Sequence, residues 1–156
     1  MKKLSLLLLL AGAAILPASA QKHSRHSGKK SVAMAKAEKA PDAVEQAFQQ
    51  KYASITVESW HKMASDNWYA DFNEDSGASK AEFTPGGQWV ATRTALTGSQ
   101  LPDTISKAIQ QKYPGAAISQ VTHIERSDVA PYYEISLQIN GAEKDILANN
   151  SGVITN

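Results

Sequence analysis

Asp71, Asn73 and Asp75 stand at alternate positions, and Glu82 follows seven residues after Asp75. Oxygen ligands at these intervals match positions 1, 3, 5 and 12 of a calcium-binding loop, where carboxylates and amide oxygens gather around a hard cation. Such a loop needs a glycine at its sixth position for the sharp turn, and here Gly77 stands one place later. The flanks also read as strands instead of helices. The competing reading is a polar hairpin loop, with Asp71 and Glu82 on the solvent face of its two strands. Calcium is the only cofactor these residues suggest.

Other chemistry finds no residues to perform it. The sequence has no cysteine, which removes disulfides, thiolate metal sites and a cysteine nucleophile together. There is no nucleophile elbow, no glycine-rich phosphate loop after a strand and no His-Glu-x-x-His. Of the four histidines, His23 and His26 share a basic polar stretch, and two ligands there do not define a metal site. His61 and His123 have no neighbouring partner residues that would make them catalytic bases. An enzyme is therefore not expected.

Aromatic residues offer a different function. Trp68-Tyr69 and Tyr132-Tyr133 are adjacent pairs in two comparable segments. Successive strand residues point to opposite faces. If Trp68 and Tyr133 face a core, Tyr69 and Tyr132 face away from it. Trp60 and Trp89 are further candidates for the outward face. Exposed Trp and Tyr make good anchors for a protein or peptide partner.

The elements that must position these residues come in two sets. Pro41-Asp42-Ala-Val-Glu-Gln-Ala47-Phe-Gln-Gln-Lys-Tyr52 is echoed 61 residues later by Pro102-Asp103-Thr-Ile-Ser-Lys-Ala108-Ile-Gln-Gln-Lys-Tyr113, with seven of twelve positions identical. Self-similarity of this kind points to one unit used twice. Val44, Ala47, Phe48 and Tyr52 fall on one helical face, and Ile105, Ala108, Ile109 and Tyr113 repeat it. Pro41 and Pro102 suit a first helical turn, with Asp42 and Asp103 near the positive helix end.

Strand signals follow each helix. Ile55 and Val57 alternate with polar residues, as do Trp68, Ala70 and Phe72, then Ala81 and Phe83, then Trp89 and Ala91. In the second set the signals are Ala116 and Ile118, then Tyr133, Ile135, Leu137 and Ile139, then Ile146 or Leu147. Asn140-Gly141 is a two-residue hairpin turn by type, because both positions need positive φ. The expected fold class is α+β, with two tandem helix-plus-antiparallel-sheet repeats over 41–98 and 99–156. A unit of this size is marginal alone, so the two are expected to share a core or a sheet. The order of strands is not legible from these patterns.

The N-terminal residues read differently. Lys2-Lys3, the apolar run from Leu4 to Leu16, Pro17 and Ala18-Ser19-Ala20 make a secretory signal peptide over 1–20, cleaved after Ala20. No cysteine follows that run, so a lipoprotein anchor is excluded. Residues 21–40 carry six basic residues against one acidic, a net +5, whereas 41–156 carry eight basic and fourteen acidic, a net −6. The basic stretch has no aromatic residue and reads as a disordered leader. The overall charge of +1 hides this division and gives no reason to expect a nucleic-acid partner. An exported protein is expected, periplasmic or secreted, with no membrane insertion after cleavage.

The pattern resembles the PepSY-like, β-lactamase-inhibitor-like family of exported bacterial proteins. The resemblance rests on the helix ending Gln50-Lys51-Tyr52, then Trp60, Asn67-Trp68-Tyr-Ala70-Asp-Phe72, Ala81-Glu82-Phe83 and Gly87-Gln-Trp89-Val-Ala-Thr92, followed by Leu101-Pro102 with the second helix and hairpin. It covers about 41–156. It implies a fold similar to the β-lactamase inhibitor protein and a binding role outside the cytoplasm, and it supplies no catalytic residues. Inhibition of a β-lactamase does not follow from such a fold. The expected function is a non-enzymatic exported binding or inhibitory module, presenting Trp60, Tyr69, Trp89 and Tyr132 to a periplasmic protein or peptide. The alternative is a calcium-responsive periplasmic structural protein using Asp71, Asn73, Asp75 and Glu82.

Overall fold

A computed structural model of the chain describes residues 38–155. The expected signal peptide and most of the basic leader lie outside those residues. No helix among the described residues is long and apolar enough to cross a membrane.

Helix α1 spans Asp42–Lys51 and helix α2 spans Asp103–Lys112. Pro41 and Pro102 sit just before the helices, at the N-cap, with φ −58° and −54°. Neither can cap with a side chain, but each carbonyl accepts the first amides of its helix, from Val44 and Glu45 or from Ile105 and Ser106. Tyr52 and Tyr113 close the helices by donating their N–H groups to the carbonyls of Phe48 and Ile109.

Four strands follow each helix: β1 (Ser59–Lys62), β2 (Trp68–Glu74), β3 (Gly77–Phe83) and β4 (Trp89–Leu96), then β5 (Ala117–Arg126), β6 (Tyr132–Ile139), β7 (Ala142–Asn149) and β8 (Ile154–Thr155). All eight form one antiparallel sheet in sequence order. The pairing of β4 with β5 joins the two sets, with Thr94 opposite His123. A sheet order that the residue pattern left open is thus a simple meander. Its β6–β7 turn is the expected Asn140-Gly141, with φ 51° and 82°.

Register decides which side each residue faces, because directly opposed residues in antiparallel strands share a face. The row Phe72, Ser79, Thr94, His123, Tyr133 and Ala148 runs across β2 to β7 on one face. Both helices pack there. Under α1, Val44 and Phe48 meet Trp68, Ala70, Phe72, Ala81 and Phe83. Under α2, Ile105 and Ile109 meet Val121, Tyr133, Ile135, Leu137 and Ile146. Phe48 and Phe72 ring centres are 5.1 Å apart, edge to face, an arrangement that adds to the burial of both rings.

Two glycines fix the loops beneath the helices. Gly87 has φ +83°, and a Cβ there would stand 2.5 Å from the Ala43 carbonyl oxygen. Gly152 has φ +81° and the same relationship to Thr104, at 2.9 Å. Only glycine combines this backbone with so close an approach.

Three expectations need correction. Ile55 and Val57 are not in a strand: they precede β1 and pack against the α1 core as loop residues. The second set's first strand begins at Ala117, so Ala116 also precedes it. Trp89 and Ala91 do not share a face, because a bulge lies between them. Glu82 opposes Ala91 while Phe83 opposes Trp89, leaving Val90 unpaired in the register.

Candidate functional site

The face without helices carries the second register row: Asp71, Lys80, Arg93, Ile124, Tyr132 and Asn149. A parallel row holds His61, Tyr69, Glu82, Ala91 and Arg126. Tyr69 and Tyr132 are therefore on this open face, as their alternation with Trp68 and Tyr133 requires. They stand four strand spacings apart, about 19 Å.

Trp60 and Trp89 are not with them. Trp60 opposes Ala70 and lies on the helix side, where its ring meets Phe48 at 5.8 Å. Trp89 opposes Phe83 and is turned to the same side by the bulge. Its indole Nε1 donates to the Thr92 hydroxyl at 2.9 Å, and the Lys51 ammonium lies 3.8 Å from its ring centre. Both tryptophans belong to the α1 core and its margin, not to an exposed binding face.

Around Tyr69 the open face is a network of paired charges. Glu82 accepts from Asn67 Nδ2 at 2.7 Å and lies 3.5 Å from Arg93 Nη1. Partial burial works against the Glu82 carboxylate. The hydrogen bonds from Asn67 and Tyr69 and the Arg93 charge outweigh it and hold this carboxyl below its usual range. Tyr69 moves the other way: burial first, and its bond to Glu82 second, push the phenol up. Asp71 is held by His61 Nε2 at 2.8 Å, Ser59 Oγ at 3.0 Å and Lys80 Nζ at 3.4 Å.

The residues with calcium-loop spacing are thereby dispersed. Asp71 and Glu82 share the open face, each with its own cationic partner. The Asn73 amide donates to Glu58. Asp75 lies in the turn between β2 and β3. Among the described residues no three carboxylate or imidazole groups converge as a metal site. The spacing arises from a seven-residue strand, its tight turn and the returning strand.

At the other end of the open face the surface is more apolar. Ile124 is only 3% exposed although it faces away from the helices. Leu147, 40% exposed, neighbours Tyr132 across β6 and β7, and Val153, 59% exposed, lies in the following turn. Arg126 binds Asp128 through two parallel bonds of 2.9 Å. The sequence pattern named Leu147 only as a possible strand signal and did not single out Ile124; neither was placed on the outward face. Ile124 lies in a strand whose two faces both carry apolar residues, so alternation gives no signal there.

One helix-covered face and one open face of a single antiparallel meander define an α+β sheet protein of the β-lactamase-inhibitor-like type. The chain belongs to the family described as "Putative beta-lactamase-inhibitor-like, PepSY-like", whose model matches residues 66–155. It is similar to a "BLIP-like protein" from Bacteroides fragilis, with TM-score 0.69 and 18% identity over 76% of this chain and 85% of that one. It is also similar to a structure described among "putative periplasmic proteins" from Bacteroides eggerthii, with TM-score 0.67 and 21% identity over 76% and 88%. At such identities the likeness establishes the fold. No curated protein matches the chain.

Proposed function

We propose that the chain is a non-enzymatic, exported binding or inhibitory module that presents its open sheet face to a protein or peptide in the periplasm. One observation carries the reading. Both helices pack on the same side of the sheet, and among the described residues no helix covers the other side. Tyr69 and Tyr132 are half-buried on that side, and Leu147 and Val153 extend the apolar part around Tyr132. Aromatic side chains standing on a rigid sheet lose little freedom on binding, which suits them as anchors. The charges around Tyr69 are already paired within the face, so a partner need not supply neutralising groups there. The neighbours described as periplasmic and as β-lactamase-inhibitor-like agree with export and with a binding role. On this reading the two helix-and-four-strand sets are copies of one unit, as the twelve-residue echo suggests.

The test is capture from periplasmic extract with the wild-type chain and with Tyr69→Ala/Tyr132→Ala. Loss of a specific captured protein in the variant, with the fold intact by circular dichroism, is the expected result. Undiminished capture of every partner by the variant refutes the face.

A further inference from the structure

Between the two helices the covered face of the sheet is polar. Thr92 and Thr94 of β4 are 3% and 6% exposed, and His123 and Glu125 of β5 stand opposite them. The apolar clusters under α1 and α2 are separate, and this strip divides them. Above it lies a cleft of about 470 Å³, with Glu74, Thr92, Thr94, His123, Glu125 and Tyr133 among its walls. Its volume is in the range of small-ligand sites.

The charges of the cleft contrast with those of the open face. On the open face Asp71 and Glu82 each have a cation. Glu74 and Glu125 form no ion pair among the described residues. Both carboxylates line the cleft, and its floor includes Thr92, whose hydroxyl bonds the Tyr52 hydroxyl. Lys51, the basic residue at the end of α1, is turned onto the Trp89 ring instead. Glu74 accepts one bond, from Ser79 Oγ at 3.1 Å. The cleft thus offers two uncompensated carboxylates above a floor of hydroxyls already fixed by their own bonds. Among the described residues no three carboxylate or imidazole groups converge there as a metal site. A cation with several N–H donors suits separated acceptors of this kind.

We propose that this cleft binds an organic cation of the size of a lysine or arginine side chain, held by Glu74 and Glu125 above the threonine-lined floor. The site lies on the opposite side of the sheet from the proposed partner face and does not depend on it.

The test follows the purified chain by NMR, using the Trp89 indole N–H and the backbone amides of 92–94 and 123–125. The probes are Nα-acetyl-lysine amide, Nα-acetyl-arginine amide and uncharged Nα-acetyl-norleucine amide. Saturable shifts confined to these resonances are expected for the two cations only. Glu125→Gln and Glu74→Gln should each weaken binding about fivefold, as loss of one partly exposed charge contact does. Glu125 makes no bond on which the fold relies, so its variant stays folded and keeps the test decisive. Equal affinity for capped lysine and for a lysine-centred pentapeptide supports a free small cation as the ligand. Tighter binding of the pentapeptide supports a chain-borne side chain. Equal shifts with norleucine amide, shifts on the open face instead, or unchanged affinity in Glu125→Gln would each overturn the proposal.

Discussion

The Tyr52 hydroxyl at the end of α1 is hydrogen-bonded to the Thr92 hydroxyl in the middle of β4. Thr92 also receives the Trp89 indole N–H, so one buried threonine ties the helix end to the strand beside the bulge. Burial pushes the Tyr52 phenol up to about 12, and the Glu74 and Glu125 charges act in the same direction against the opposing bond from Thr92. A phenol whose pKa rises on folding stabilises the fold fully below its unfolded value, near 10. That contribution is lost as pH climbs from about 10 through about 12. Urea midpoints measured across this window should therefore fall more steeply for the wild type than for Tyr52→Phe. At neutral pH the same variant should cost about 1 kcal/mol, the usual net worth of one hydrogen bond. Parallel pH slopes for the two proteins would show that Tyr52 ionises as freely in the fold as outside it.

Gly87 and Gly152 hold their loops against the first turns of α1 and α2 by the same device. Gly87→Ala should destabilise by more than the 1–2 kcal/mol, roughly, that a left-handed backbone costs an alanine, because its Cβ also meets the Ala43 carbonyl at 2.5 Å. Gly141 provides the comparison. Its φ is +82°, yet an added Cβ finds nothing within 4 Å. Gly141→Ala should cost only the backbone term. Chemical denaturation of the two variants separates them, and equal losses would remove the proposed helix contact.

The same contrast shows what could be read in advance. Both helices were legible because their apolar faces repeat at 3.6-residue spacing, and Asn140-Gly141 announced its turn through residue type alone. The outward position of Tyr69 and Tyr132 followed from alternation once Trp68 and Tyr133 faced the core. Trp89 defeated that logic, since a bulge shifts the period by one residue and leaves no mark on the sequence. Ile55 and Val57 show a second limit: alternation marks residues that contact the core on one side, whether or not a neighbouring strand is present to pair with them. The β4–β5 pairing spans the whole of α2, so no local pattern could reveal it. The cleft was hidden for that reason, because His123 and Glu125 become neighbours of Thr94 and Thr92 only through this long-range pairing.

Trp60 and Trp89 should behave as core residues while Tyr69 and Tyr132 behave as surface residues. Trp60→Ala removes an edge-to-face contact with Phe48 and should cost about 2–3 kcal/mol, below the full-burial range because the indole is only partly enclosed. Trp89→Ala also removes the donor to Thr92 and should cost a similar amount. Tyr69→Ala and Tyr132→Ala should each stay within about 1 kcal/mol of wild type, as substitutions outside the core usually do. Thermal melts give the order directly. If Trp60→Ala melts with the wild type while Tyr132→Ala loses stability, the assignment of faces is reversed.

Calcium should leave the melting temperature unchanged. To serve as ligands, Asp71 would have to release His61, Ser59 and Lys80, and Glu82 would have to release Asn67 and Arg93. Asn73 would have to leave Glu58, and all three side chains would then have to converge with Asp75 in the turn. The existing bonds already engage the Asp71 and Glu82 oxygens, so an ion must compete with them as well as with its own hydration. A ligand that binds only the folded state must raise its stability in proportion to occupancy. Melting curves in millimolar calcium and in chelator should therefore superimpose. A rise of several degrees with calcium, abolished by Asp75→Asn, would show that the β2–β3 turn rearranges around an ion and would restore the ligand role of these four residues.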